Sequence, residues 1–407
     1  MRINTVLARS ISDTRGYPTI ETILTAGSFS ATASIPSGKS TGTHEAFELR
    51  DADGGVTRAI ENVNDEIAHA LVGRDFDSID ELDAFLIQLD GTKNKSRLGA
   101  NAILSVSIAA MRLSALMENI PLWDAIAKRT GTTQQAPRLY VNVINGGVHA
   151  DFRLPFQEYI LVVEGNTNEA LPIAHEAFTK LGELLRTHDT DVPMGDEGGY
   201  APTFDTLEQP FELLASLVAE YPGTSIALDA AASELFHNGA YQLLGKSYSA
   251  DELLAFYREL VERFPLHSIE DPFDEDSVTD FIRLTAMLED FSTPLGAKKV
   301  LVVGDDLTVT NPVRISQAMK YKEINAVLIK PNQIGTVRET ILAVQETYTA
   351  DCKVIVSHRS GETDDTFIAD FARGIGAHGI KAGGFGQKER LEKYDRLLAI
   401  EREAETR

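Results

Sequence analysis

In the second half of this 407-residue chain, ionisable residues recur at the ends of short apolar runs: Asp229, Glu270 with Asp271, Asp305 with Asp306, Lys330, His358 with Arg359, and Lys381. Successive positions lie about one strand-plus-helix unit apart. In an α/β barrel the residues just past the strands share one mouth, so closure would set three carboxylates against three or four cations. Asp229, Glu270 and Asp305 form an all-oxygen set with no His or Cys in the pattern, which suits Mg2+ rather than zinc. Singly, each acid is as readily a helix N-cap or a surface charge. In register at strand tips, they read as a metal site.

Lys330 follows the apolar run Ala326–Ile329 and would project beside these acids, as an ion-pair partner or as a base whose pKa is lowered by burial and nearby cations. A second acidic cluster, Gly195-Asp196-Glu197-Gly198-Gly199, reads either as a tight turn or as a site loop. Gln157-Glu158, just before an apolar run, raises the same question. Two neighbouring carboxyls can share a proton and so make a general acid. The small-residue loop Ser37–Thr43 lacks the upstream glycine of a P-loop and reads as an anion nest or a mobile lid. His149, after Asn145-Gly146-Gly147, is a further loop candidate. Together these residues describe a Mg2+ barrel enzyme with a lysine base and a carboxylate acid, abstracting a proton beside the carboxylate of a small anion.

The elements that must position these groups follow from periodicity. Thr19–Thr25 and Phe29–Ile35 alternate apolar and polar, as half-buried strands do. Helical patterning runs from Val56 to about Asp90, broken at Gly73 and Asp77-Ser78, and Asn101–Asn119 is apolar on nearly all sides, as a buried helix is. Gly131–Pro137 is polar and aperiodic, which divides the chain into an α+β domain, 1–133, and a second domain, 134–407. There, β-rich runs at 159–163, 225–228, 266–269, 300–303, 326–329, 354–356 and 379–380 alternate with helical stretches. That alternation predicts an α/β fold with a (β/α)8-type barrel. Pro272, with no N–H for a ladder, stops the strand that ends on Glu270.

Composition bounds the rest. The chain is 43% hydrophobic and 24% charged with a net charge of −23, which disfavours nucleic acid as a partner. The single cysteine, Cys352, allows no internal disulfide and reads as a structural thiol of a reducing compartment. Met1–Thr5 lacks the apolar stretch of a signal peptide, and the Ala102–Met117 run is too interrupted to predict a membrane span. A cytoplasmic location is expected.

At these same residues the chain resembles enolase, nearly end to end. The resemblance is carried by Ala8-Arg9-Ser10 with Asp13–Thr19, Pro36–Gly42, Leu98–Leu104, Asn145–Ala150, Gly195–Gly199, Ser268–Phe273, Gly304–Leu307, Lys330–Gly335 and Ser357–Thr363. The lysine-plus-Mg2+ arrangement is the general one of that superfamily. The resemblance implies an N-terminal α+β domain and a barrel with an atypical antiparallel start. It implies reversible dehydration of 2-phosphoglycerate to phosphoenolpyruvate with two Mg2+ ions, in a homodimer or higher homo-oligomer. By position, Asp229, Glu270 and Asp305 would hold the first ion, and Ser40 would help bind the second. Lys330 would take the C2 proton, and Glu197, supported by Glu158, would protonate the departing C3 hydroxyl. Lys381 would meet the substrate carboxylate, Arg359 and Ser360 its phosphate, with His149, Gln157 and His358 completing the pocket.

The chain departs from the family in three places. Lys39 replaces an alanine of the lid, where it would contact phosphate, alter lid closure or face solvent. Ala382–Arg390 carries extra glycine after Lys381, expected to loosen that loop. Ala399 and Arg402 replace residues that would pair across a dimer with Glu21 and Arg9. An enolase-like enzyme for another small carboxylate, and a non-catalytic scaffold, are the competing readings.

Overall fold

The structure is a computed structural model in which residues 1–39, 42–188, 191–289 and 299–406 are described. The first domain begins with an antiparallel meander, β1 (Thr5–Ser12), β2 (Pro18–Ala26) and β3 (Phe29–Ser34). Its inward face packs on the helix Ala100–Met117, and the Thr22 and Ser105 hydroxyls share a hydrogen bond of 2.6 Å in that contact. Among the described residues this is the one helix long and apolar enough to cross a membrane, and most of it is buried within the fold. The helical stretch after Val56 breaks as predicted: it ends at Leu71 and resumes at Ile79–Asp90. Ser78 caps the new helix by accepting from Glu81 N–H at 3.2 Å.

The second domain adds β4 (Arg138–Asn145), β5 (Glu158–Val163) and β6 (Thr224–Asp229). A small separate sheet follows, β7 (Phe236–His237), β8 (Ala240–Leu243) and β9 (Lys246–Tyr248). Then come β10 (Leu266–Glu270), β11 (Leu301–Gly304), β12 (Ala326–Ile329), β13 (Lys353–Ser357) and β14 (Gly379–Lys381). Eight of these close a barrel in the order β10-β11-β12-β13-β14-β4-β5-β6. β5 runs antiparallel to both β4 and β6, and the other pairs are parallel. This is the expected barrel with an antiparallel start. Tyr140, Ile160, Val162, Leu301, Val303 and Leu328 belong to the apolar cluster that fills its centre, so the barrel is a packed core and chemistry is left to its rim.

The two parts are fastened by polar groups as well as apolar ones. Arg112, on the long helix, donates to both oxygens of Asp365 at 2.6 and 2.7 Å. Asp83 and Ser107 accept from the first amides of the helix Val337–Thr349, at Arg338 and Val337. A first-domain carboxylate and hydroxyl thus satisfy N–H groups that the barrel helix cannot satisfy itself.

Candidate active site

Strand register brings the candidate residues to one rim. Glu270 ends β10 opposite Asp229, the last residue of β6. Because β5 is antiparallel, its first residue, Glu158, rather than its last, reaches this end and pairs with Asp229. Asp305 and Lys330 stand one residue past β11 and β12, His358 one past β13, and Lys381 ends β14. All are buried except Lys330, which is half-buried.

The acids and cations interlock. From the far side of the barrel, Lys381 Nζ reaches Asp229 Oδ2 at 2.9 Å, both Glu270 oxygens at 3.0 Å and Glu158 Oε2 at 3.1 Å. Lys330 Nζ donates to Asp305 Oδ2 at 2.5 Å, and Gln333 Nε2 to Asp305 Oδ1 at 2.9 Å. Burial would push Lys330 down, but the Asp305 carboxylate more than offsets it and holds this ammonium above the ordinary lysine range. Burial, then the Asp229 charge, hold Glu270 well above the ordinary carboxylate range. These oxygens suit a hard cation, and a cation is what they hold: an ammonium sits among carboxylates of three strands. The acidic cluster can therefore take a metal ion. Among the described residues, one acidic trio with ligand atoms within 4.8 Å of one another is Asp271, Asp305 and Asp306. Asp271, at φ +39°, accepts from the amides of Asp305 and Asp306 at 3.0 and 2.8 Å. It fixes the turn that presents Asp305.

A second trio, His149, Glu158 and Glu197, also lies within 4.8 Å. Asn142 Nδ2 donates to Glu197 Oε2 at 3.0 Å, and the ring nitrogens His149 Nε2 and His358 Nε2 stand 3.4 and 3.5 Å from its oxygens. Burial, then Glu197, raise Glu158 well above the usual range, while the two histidines hold Glu197 below it against burial. Burial keeps both imidazoles below their ordinary pKa. Arg390 donates to His358 Nδ1, so a neutral His358 carries its hydrogen on Nε2, facing Glu197.

The remaining candidates sit around these two groups. Arg359 forms a fork on Glu45, at 3.0 and 3.1 Å, and donates to Asn332 Oδ1 at 2.8 Å. Ser360 Oγ accepts from Lys39 N–H at 2.8 Å. Gln157 Oε1, His149 Nδ1, Asn142 Oδ1 and Asn145 Nδ2 are buried polar atoms without a partner among the described residues, as a pocket built for a polar ligand has. Ser40 lies outside the described residues. Sequence reasoning passed over Glu45, Asn142, Gln333 and Arg390. Gln333 and Arg390 lie inside stretches singled out above, Lys330–Gly335 and Ala382–Arg390, but only the fold shows that Arg390, 0% exposed, is a core residue.

The Lys381–Arg390 segment corrects one expectation. Its glycines tighten the loop: a Cβ on Gly384 would stand 2.3 Å from Gly198 O and 2.5 Å from Asn142 O. Gly384 and Gly386 donate to the carbonyls of Glu197 and Gly198 at 2.8 and 3.1 Å, and Phe385 packs on Phe178 and Tyr394. Cys352 donates to Ala350 O at 3.4 Å, and burial raises its thiol, as suits a structural residue.

Comparison with known proteins bears on this arrangement. A family profile described as the enolase C-terminal TIM barrel domain matches residues 134–407, and one for the enolase N-terminal domain matches 3–126. The chain is 42% identical to a protein named enolase from Thermococcus kodakarensis over 99% of this chain and 95% of that one. It is 43% identical to an enolase from Methanopyrus kandleri, covering 98% and 95%, and 42% identical to one from Anaplasma phagocytophilum, covering 98% and 94%.

Proposed function

This chain belongs to the enolase family, and we propose that it interconverts 2-phosphoglycerate and phosphoenolpyruvate. The observation that carries the reading is a single mouth with a lysine on one acid, Lys330 on Asp305, and a buried pair of neighbouring carboxyls, Glu158 and Glu197, beside it. These are the base and the acid that loss of water across C2–C3 needs.

We infer two Mg2+ ions, with Asp229, Glu270 and Asp305 holding one and Ser40 contributing to the other. Bound Mg2+ supplies the positive charge that makes a proton beside a carboxylate removable. Lys330, as the neutral amine, removes the proton from C2, and the electron pair moves into the carboxylate. Its return forms the C2–C3 double bond and breaks the C3–O bond, while Glu197 protonates the departing oxygen and draws on Glu158. Lys381 neutralises the substrate carboxylate. Arg359 exchanges Glu45 for the phosphate, a fork-on-oxyanion contact that guanidinium geometry favours, and Ser360 adds a hydroxyl. His149, Gln157 and His358 close the pocket with the polar atoms they keep unpaired.

The same reading includes the division at 133/134, a cytoplasmic location and a homo-oligomer. Supporting the last, Leu7 on β1 and Tyr17 in the turn before β2 are 57% and 59% exposed. Arg9 and Glu21, whose partners across a dimer are replaced at Ala399 and Arg402, pair with each other here. Following phosphoenolpyruvate formation from 2-phosphoglycerate by its ultraviolet absorbance, with and without Mg2+, tests the reaction. Magnesium-dependent turnover is expected, and a folded, Mg2+-loaded protein without it would refute the assignment.

A further inference from the structure

Lys39 is not a free surface lysine. Its backbone N–H donates to Ser360 Oγ at 2.8 Å, while its side chain points back across the rim. There Nζ donates to Val148 O at 2.7 Å and pairs with Asp196 Oδ2 at 2.7 Å. Val148 precedes His149, and Asp196 precedes Glu197. The two anchored loops are themselves joined, since Asp196 N–H donates to His149 O at 3.0 Å. One ammonium therefore ties together the segment docked on the Ser360 loop, the loop of His149 and the loop of Glu197.

The rest of the Glu197 loop is held from the opposite side. Arg390 donates to Asp196 O at 2.9 Å, and the Gly384 and Gly386 amides take the next two carbonyls. Those contacts fix its backbone on the barrel side, and Lys39 supplies the contact on the solvent side. The departures at Lys39 and at Gly384–Gly386 thus converge on one loop, the one bearing the acid.

We propose that Lys39 is a positioning residue for the acid pair, holding the Glu197 and His149 loops in their working geometry through Asp196 and Val148. The inference rests on the proposed reaction for its kinetic consequence, though not for the tether itself. Small displacements of an acid from its line of attack are costly. The Lys39 and Asp196 side chains are 39% and 31% exposed, so losing the tether re-exposes both partners to water and leaves the fold intact.

In the full-length protein, Lys39→Ala is expected to lower kcat by about three- to fivefold, the reach of a partly exposed ion pair, with KM nearly unchanged. Lys39→Arg should recover most of the loss. Asp196→Asn should reproduce it, and the double variant should be no worse than either single one. Independently of turnover, amide hydrogen exchange at Asp196 and Gly198 should quicken in Lys39→Ala. An unchanged kcat with unchanged exchange would return Lys39 to solvent. A raised KM at constant kcat would make it a phosphate contact, and additive losses would uncouple it from Asp196. Each of these would overturn the proposal. If the unmodified protein does not act on 2-phosphoglycerate, the reaction assignment fails, and hydrogen exchange still decides whether the tether exists.

Discussion

The ammonium of Lys330 donates to Asp305 Oδ2 at 2.5 Å across two adjacent barrel strands, so a candidate base and a candidate metal ligand hold each other. Each satisfies the other's charge, and in this state neither is ready for its task. Burial alone would favour the neutral amine. The carboxylate reverses that, so the base becomes available only when Asp305 is engaged elsewhere.

That exchange should be visible as protons. Glu270 titrates well above the usual range because of burial and Asp229, and Lys330 is held protonated by Asp305. A divalent cation on these carboxylates competes with both protons, so Mg2+ binding should release on the order of one proton per site near neutral pH. The apparent affinity should then rise with pH. Isothermal titration in two buffers of different ionisation enthalpy measures the release. A heat independent of buffer would mean that the ligands are already fully deprotonated.

The two halves of the chemistry should separate by variant. Lys330→Ala should lower turnover by roughly 10²- to 10⁴-fold, the usual worth of a general base, and abolish exchange of the C2 hydrogen with solvent. Glu197→Gln should lose dehydration to a similar degree and keep C2 exchange, because the base and its partner Asp305 remain. Deuterium incorporation into 2-phosphoglycerate, followed by NMR, reads this directly. Exchange surviving in Lys330→Ala would assign the base elsewhere.

How much of this was legible in the sequence depended on how local each signal was. Glu270, Lys330 and Lys381 end or follow short apolar runs, so periodicity alone put them at strand tips. The strand Arg138–Asn145 escaped because Arg138, Asn142 and Asn145 break its apolar residues into runs too short to stand out beside the polar Gly131–Pro137 segment. The helix Thr167–His188 carries Pro172 in its second turn, which reads as a break. Partnerships were not legible at all. That Lys381 meets Asp229, Glu270 and Glu158 follows from barrel closure and from β5 running backwards, which no window of residues encodes. The glycines after Lys381 were misread for the same reason, since the atoms that crowd Gly384 lie far away in sequence.

Gly384 gives a direct test of that crowding. In Gly384→Ala the new methyl would overlap the carbonyl oxygens of Gly198 and Asn142, at 2.3 and 2.5 Å. Both belong to backbone and cannot step aside as a side-chain end could. The loop should therefore shift and take the carbonyl of Glu197 with it, through the hydrogen bond that the Gly384 N–H donates to it at 2.8 Å. Turnover should fall by about tenfold or more, with a lower thermal midpoint. Unchanged activity would show that the acid is positioned without this loop.

The join between the two domains should carry its own pH dependence, through Asp83. This carboxyl, on the helix Ile79–Asp90, faces the start of Val337–Thr349 and accepts from Arg338 N–H at 2.8 Å. Burial, against the hydrogen bonds from Ser107 and Arg338, pushes it up to about 7. An unfolded aspartate titrates near ~3.9. Between those values the folded chain holds a proton that the unfolded chain has released. Asp83 therefore lowers stability progressively as pH rises from about 4 to about 7, and the loss is complete above that, by on the order of 4 kcal/mol at most. Asp83→Asn keeps an acceptor for Arg338 and cannot ionise. Its unfolding free energy at pH 8 should exceed that of the unmodified chain, and the gap should close towards pH 4. Denaturant unfolding across that range measures both. A variant less stable at pH 8 would mean that the ionised carboxylate itself strengthens the join, which Arg129, acting on it from the first domain, would then explain.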